Sequence, residues 1–84
     1  MEEIEATVKS YLLDEFLPGE DPGALDGSTP LITGGILDSI STLKLVSFLE
    51  QRYGVEFQAH EIGVNHLNTL ADIAGAVRAK LEAR

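Results

Sequence analysis

The sequence lacks cysteine and tryptophan altogether, and its 84 residues include only 6 Lys and Arg against 14 Asp and Glu. Without cysteine, disulfide bonds and thiolate metal sites are excluded. No apolar run approaches the roughly 20 residues that a transmembrane helix needs. The formal net charge is −8. Because phosphate backbones and anionic membrane surfaces are bound by clustered cations, we expect neither a nucleic-acid partner nor a membrane partner.

The length and composition bound the kind of protein. A chain of 84 residues, 44% apolar and 24% charged, has enough apolar residues for one compact domain with a modest core. Its start, MEEIEATVK, is acidic and lacks the basic segment and apolar run of a secretory signal. We therefore expect a single domain over residues 1–84, a cytoplasmic location and a monomer. The acidity favours partners with basic surfaces, although many cytosolic proteins are equally acidic.

Apolar residues recur at helical spacing in three long segments and one short one, and strand signals are minimal. The predicted long helices cover residues 3–17, 39–53 and 69–83, and residues 59–65 are expected to form one or two helical turns that Gly63 weakens. Pro18 and Gly19 are expected to end the first helix, Asp38 and Gly54 to bound the second, and Thr69 to cap the last. The sequence thus predicts an all-α fold, a bundle of three main helices and one short helix. The long first loop, 18–37, is of a length that often marks function.

The second predicted helix has two apolar faces. The face expected to pack into the core carries Thr42, Leu45, Val46, Leu49 and Tyr53. The opposite face carries Ile40, Lys44 and Ser47, with Leu43 at its edge. We expect Ile40 and Leu43 to be at least partly exposed beside Ser39, as a docking patch for partner proteins. The alternative is that the long loop folds over Ile40 and buries it.

The segment GGILDSISTLKLVSFLEQRYGVEF contains Asp38-Ser39-Ile40 at the start of this helix. It resembles the phosphopantetheine attachment region of acyl, peptidyl and aminoacyl carrier proteins, whose modified serine follows an acidic residue and precedes Leu, Ile or Met. The tripeptide alone is a weak signal. In an acidic chain of this length, after Gly-Gly-Ile-Leu and before an amphipathic helix, it is a strong one. The resemblance to the acyl-carrier-like bundle covers nearly the whole chain.

The resemblance implies a stand-alone carrier that is not itself an enzyme. Ser39 would receive 4′-phosphopantetheine from coenzyme A through a phosphopantetheinyl transferase, and the thiol of this arm would hold cargo as a thioester. Asp38 would serve transferase recognition as well as capping the helix. The implied docking residues are Ile40, Leu43, Lys44 and Ser47. Further partners would be a cargo-activating ligase or adenylation enzyme and downstream acyl or aminoacyl transferases.

The cargo is less clearly indicated than the carrier class. Carriers of fatty-acid synthesis usually have a strongly acidic second helix, whereas here the first acid after Asp38 is Glu50, and Lys44 lies between them. This departure favours an aminoacyl or specialised-pathway cargo. A housekeeping fatty-acid carrier is the alternative within the class.

Three other kinds of function are less favoured by the sequence. A metal site at His60 and His66 would want spacing of three or four on one helical face, so these are expected to be ordinary surface or packing histidines. Hydrolase chemistry at Ser39 would need a positioned base and an oxyanion site, and the flanking sequence has no G-x-S-x-G elbow. The rival from another class is a helical protein-interaction module that carries no modification.

Overall fold

The computed structural model describes residues 3–16, 19 and 25–83, and the described part contains helices and no strand. The elements in chain order are α1 (Glu3–Glu15), α2 (Ser39–Tyr53), a 3-10 turn (Ala59–Glu61), α3 (Val64–Leu67) and α4 (Leu70–Glu82). The predicted all-α bundle with one short helix is therefore confirmed.

Helix α1 follows from apolar residues at spacing four. Ile4, Val8 and Leu12 are buried on one side. Glu3 and Glu5 lie in the first turn, where carboxylates interact favourably with the positive end of the helix dipole. The helix ends at Glu15, two residues before the predicted end. Of the predicted stop, Pro18 lies outside the described residues, and Gly19 has a positive φ of 87°.

Helix α2 begins and ends where the sequence predicts, because both ends have strong local signals. The Asp38 carboxylate accepts a hydrogen bond from the Ser41 backbone N–H at 2.7 Å. At the other end Gly54 adopts the left-handed conformation, φ 67°, which glycine enters at little cost. The buried residues of α2 are Thr42, Leu45, Val46 and Leu49.

The segment 59–65, predicted to form one or two helical turns weakened by Gly63, is divided at that glycine. It consists of the 3-10 turn and α3, which are separated by Ile62 and Gly63, and α3 continues to Leu67, two residues past the predicted end. Gly63 is extended, with φ 163° and ψ −170°, so the helical hydrogen-bond ladder cannot run through it. The connection Ile62-Gly63 and the first residue of α3 line the site described below.

Helix α4 starts after Thr69, whose hydroxyl accepts the Asp72 N–H at 3.0 Å, as predicted for its cap. The buried face of α4 consists of Leu70, Ile73, Ala74 and Val77. One continuous core joins the helices, and the first loop contributes Leu25, Leu31 and Leu37 to it. No helix in the described ranges is long and apolar enough to cross a membrane.

Candidate functional site at the start of α2

Ser39 is the first residue of α2, and its side chain is exposed. Asp38, the residue before it, is held in place by hydrogen bonds to both its side chain and its backbone carbonyl. The Asp38 carboxylate accepts the Ser41 N–H, and the Asp38 carbonyl accepts the Thr42 N–H at 2.9 Å and the Thr42 hydroxyl at 2.7 Å. The turn that presents Ser39 is therefore fixed on either side of this serine.

Asp38 is an ionised cap. The hydrogen bond from the Ser41 backbone N–H, followed by that from the Ser41 side chain, lowers the pKa of Asp38 below its ordinary value. A negative charge therefore stands next to Ser39 at neutral pH. This charge satisfies the helix start and remains exposed to solvent at the same time.

The chain enters α2 through a tight loop formed by residues 30–37. The Leu31 carbonyl accepts the Ile36 N–H at 2.9 Å and the Leu37 N–H at 2.8 Å. A Cβ atom at Gly34 would overlap the Pro30 carbonyl oxygen, so glycine is required at this position. Gly35 has φ +83°, which L residues rarely adopt. The Gly-Gly pair is thus explained by one close approach and one left-handed residue.

Asn68 connects this loop to the junction between α3 and α4. Its side-chain oxygen accepts the Ile32 N–H at 2.9 Å and the Thr33 N–H at 3.0 Å. Its backbone carbonyl accepts the Leu31 N–H at 2.6 Å. The sequence interpretation did not single out Asn68, since nothing local to it indicates partners 35 to 37 residues earlier in the chain.

A groove of about 500 Å³ opens beside Ser39. Ile32 and Leu37 of the loop line one side, Asp38, Ser39, Thr42 and Leu43 at the start of α2 line the base, and the segment 62–64 lines the other side. Two of the lining residues are large, exposed apolar side chains, Leu43 (56% exposed) and Val64 (46%). Ile40, next to Ser39, is 68% exposed and lines a second groove. The prediction that Ile40 and Leu43 face solvent is confirmed, and the described part of the loop leaves Ile40 exposed.

The four residues predicted for docking lie together on a second groove, between α1 and α2. Ile40, Leu43, Lys44 and Ser47 are all exposed and all line it. The wall opposite them is aromatic, because the Tyr11 ring stacks on the Phe48 ring with centroids 4.1 Å apart. Burial, and then the Glu15 charge, raise the pKa of Tyr11.

The exposed side of α2 is not acidic. Between Asp38 and Glu50 the helix carries one charged residue, Lys44, and no ion pair of Lys44 is formed within the described residues. Glu50 itself is half-buried, and its carboxylate accepts the Phe57 N–H at 3.0 Å. The only charge at the centre of this helix surface is therefore positive.

The two histidines considered above as a metal pair lie on different elements. His60 lies in the 3-10 turn and His66 in α3, and both are exposed. Within the described ranges, no group of three or more His, Asp or Glu side chains is arranged to hold a metal ion.

Comparison with known proteins identifies the family. The model of the phosphopantetheine attachment site family matches residues 17–77. A holo acyl carrier protein from Nitrosomonas europaea, solved in solution by NMR, is 29% identical, with a TM-score of 0.77, and the match covers 98% of this chain and 99% of that one. A chain in the crystal structure of an FAD-dependent dehydrogenase is 34% identical, with a TM-score of 0.75 over 83% of this chain and 97% of that one. The search of curated proteins finds no match.

The residues around Ser39 fit a phosphopantetheine arm. The Ser39 side chain is exposed at the edge of an open groove, so a phosphodiester on it would be reached by solvent and by a partner enzyme. The apolar groove sides can contact the alkyl and amide parts of such an arm. With the family model spanning most of the chain and the fold matching a holo acyl carrier protein, the chain belongs to the phosphopantetheine attachment family, as a carrier protein with covalently attached 4′-phosphopantetheine.

Proposed function

We propose that Ser39 carries the arm, and that residues 1–84 form a single, monomeric carrier domain that delivers an acyl or aminoacyl group to partner enzymes. The observation that carries the proposal is the position of Ser39. It is the exposed first residue of α2, follows the fixed Asp38 and lines a groove together with the exposed Leu43, with the exposed Ile40 as its neighbour in the chain.

The other serines are less suited to modification. The Ser28 hydroxyl donates to Asp26, and Ser41 is partly buried behind Asp38. Ser10 and Ser47 are exposed but lie in the middle of helices, where the backbone N–H groups are already paired. At the first position of a helix, unpaired N–H groups and the helix dipole favour a phosphate ester. This difference favours Ser39 over the rest.

The proposed roles follow from the geometry. The Ser39 hydroxyl oxygen gives up its proton to the transferase and bonds to the phosphorus of the phosphopantetheine moiety, while the pyrophosphate bond of coenzyme A breaks and adenosine 3′,5′-bisphosphate leaves. The transferred arm supplies the thiol that this cysteine-free chain lacks. Asp38 holds the turn through Ser41 and offers its charge to the transferase. Modification requires a compartment that contains coenzyme A, so the proposal includes a cytoplasmic location.

The test is intact mass after incubation with coenzyme A and a promiscuous phosphopantetheinyl transferase. We expect the wild-type chain to gain one phosphopantetheinyl group and Ser39→Ala to gain none. Ser47→Ala is the matched control, since it removes an exposed hydroxyl from the same helix, and it should be modified like wild type. No gain by wild type would favour an unmodified helical interaction module, and a gain by Ser39→Ala would refute the assignment of Ser39.

We propose that Ile40, Leu43, Lys44 and Ser47 form the docking surface for partner enzymes. The two exposed apolar side chains lie beside the ammonium group of Lys44, which forms no ion pair with the described residues. They favour a partner surface that is apolar and carries an acid opposite Lys44. Ile40→Asp should leave the bundle folded, since Ile40 is 68% exposed, and should slow transfer to and from partners. Lys44→Glu should also slow this transfer. Its control is Arg52→Glu, because both substitutions reverse an exposed charge of α2 but only Lys44 lies on the groove. Equal effects of the two would contradict the proposed surface.

For the cargo, we propose an aminoacyl or specialised-pathway group rather than a housekeeping fatty acyl chain. The positive charge at the centre of α2 supports this, because it would repel the basic patches that recognise acidic carriers. A chain 34% identical occurs in the crystal structure of an FAD-dependent dehydrogenase, which favours delivery to a tailoring enzyme. Incubating the modified protein with amino-acid-activating and with fatty-acyl-activating enzymes, and measuring which of them loads it, distinguishes the two kinds of cargo. Loading by the fatty-acyl enzyme alone would refute this choice.

A further inference from the structure

Asn68 does not line the groove beside Ser39, yet its hydrogen bonds reach the loop that leads to Ser39. Its side-chain oxygen accepts from the Ile32 and Thr33 amides, and its backbone carbonyl accepts from the Leu31 amide. Three successive backbone N–H groups of the loop are therefore paired with one residue, 35 to 37 positions away in the chain. We call these hydrogen bonds the Asn68 bracket.

The bracket is connected to Ser39 by a short series of backbone contacts. The Leu31 carbonyl accepts the Ile36 and Leu37 amides, so the start and the end of the loop are joined at the residue that Asn68 holds. Leu37 is 2% exposed and cannot move without opening the core. The next two residues are Asp38 and Ser39. A displacement of Leu31 is therefore transmitted directly to the start of α2.

The same bracket sets the separation of the two groove sides. Ile32, on one side, donates its amide to Asn68. The other side is the segment 62–64, which leads into α3 and thus to Leu67, a fully buried residue next to Asn68. Asn68 therefore connects the two sides of the groove.

If Asn68 served only to stabilise the fold, its side chain would be expected to cap the start of α4. The neighbouring Thr69 already caps that helix. The Thr69 hydroxyl accepts the Asp72 N–H and caps α4 without help from Asn68. The Asn68 side chain instead contacts the loop, where the Thr33 hydroxyl lies 3.2 Å from its amide nitrogen. Its polar atoms thus face the groove-forming loop rather than α4.

We propose that Asn68 is a positioning residue for modification: it holds the loop 31–37 in place and thereby fixes Ser39 and the width of the groove beside it. The proposal rests on the proposed attachment of the arm at Ser39. Asn68 touches neither the transferase nor the arm in this role, and acts through Leu31, Ile32 and Leu37.

The experiment compares three variants of the full chain in transferase assays with coenzyme A, at a temperature at which circular dichroism shows all of them folded. Asn68→Ala removes the side-chain part of the bracket. Asn68→Asp keeps an oxygen that accepts the two loop amides. Thr69→Ala is the matched control, since it weakens the adjacent helix cap and leaves the bracket intact.

We expect Asn68→Ala to lower kcat/KM for phosphopantetheinylation about tenfold, the factor that corresponds to roughly one net hydrogen bond. Asn68→Asp should restore most of the rate, and Thr69→Ala should stay within about twofold of wild type, because the presentation of Ser39 is unchanged. Hydrogen exchange at the Ile32 and Thr33 amides should accelerate in Asn68→Ala and not in Thr69→Ala.

The outcomes separate this proposal from the one on which it rests. If the wild-type chain is not modified at all, the proposed function of Ser39 fails. If wild type is modified and Asn68→Ala is modified at the same rate, or if Thr69→Ala is slowed equally, the positioning role of Asn68 is overturned while Ser39 stands.

Discussion

The two ends of α2, the open N-terminal end and the closed C-terminal end, are built in opposite ways. At the N-terminal end Ser39, Ile40 and Leu43 are exposed, and the helix is capped by a charge that faces solvent. At the C-terminal end Leu49 is fully buried and Glu50 ties the following segment back to the helix through the Phe57 N–H. One helix therefore supplies both a stable support and a surface for exchange with partners. Apolar residues stabilise the fold at one end and are left available at the other.

The largest effect should come from a pair of matched leucine substitutions. Leu49→Ala at the closed end should lower the free energy of unfolding by about 2–5 kcal/mol, because it leaves a cavity in a fully packed core. Leu43→Ala at the open end should change it by less than about 0.5 kcal/mol, since Leu43 is 56% exposed. Urea denaturation of both variants measures the contrast. Similar losses would show that the two ends do not differ in this way.

The next effect concerns the loop that leads into the open end. Gly34→Ala should destabilise the protein by about 1–3 kcal/mol, because the added Cβ meets the Pro30 carbonyl oxygen and the backbone has to shift. Gly75→Ala is the control in the middle of α4, where nothing lies within 4 Å of the added atom. It should stabilise by roughly 0.5–1 kcal/mol.

Modification rates sharpen the same comparison. Gly34→Ala should also slow phosphopantetheinylation, since the displaced loop leads directly to Ser39, whereas Gly75→Ala should leave the rate unchanged. A slowed Gly75→Ala variant would mean that the rate depends on the bundle as a whole and not on the loop.

The smallest effect is the pH dependence of the cap at the open end. The pKa of Asp38 is lowered in the folded protein, first by the Ser41 backbone N–H. Its contribution to stability is therefore complete above the pKa of an unfolded aspartate, about 4, and is lost as the pH falls through the lower folded pKa. Asp38→Asn keeps a capping side chain that does not titrate, so this acid-induced loss should be absent.

The measurement is thermal unfolding of wild type and Asp38→Asn from neutral to strongly acidic pH. The difference between their melting temperatures at each pH reports the contribution of the Asp38 carboxylate. The pKa of Asp26 and that of Glu61 are also lowered, and both groups are present in both proteins. Asp38→Ala should be less stable than either at neutral pH. Parallel curves for wild type and Asp38→Asn would show that the carboxylate does not stabilise this helix start.

The sequence predicts best what is locally specified. The bounds of α2 follow from Asp38 and Gly54, which act within one turn of the helix they bound. The exposure of Ile40 and Leu43 follows from the angular position of each residue on that helix. The acyl-carrier-like architecture came from the resemblance, and the family match confirms it. The attachment of the arm at Ser39 and the docking roles stay predictions.

What the sequence does not predict depends on contacts between distant segments. The Asn68 bracket joins residues 35 to 37 positions apart, and an Asn before a helix cap has no local property that reveals such partners. The sequence indicates Gly63 as the weak point of the third helix, but periodicity does not fix its extended conformation or the continuation of α3 to Leu67. The aromatic wall of the second groove, where Phe48 stacks on Tyr11, likewise arises only when α1 and α2 pack together.

The stacked pair of Tyr11 and Phe48 gives the protein an intrinsic optical reporter. The chain contains no tryptophan and only two tyrosines, and one of these forms a wall of the groove that carries Lys44. A partner that inserts a side chain there would change the emission of Tyr11, and a partner tryptophan at the interface would receive its excitation energy. Engagement of this surface can thus be followed in the unlabelled protein, and a Tyr53→Phe variant, which removes the emission of the tyrosine at the opposite end of α2, assigns the change to Tyr11.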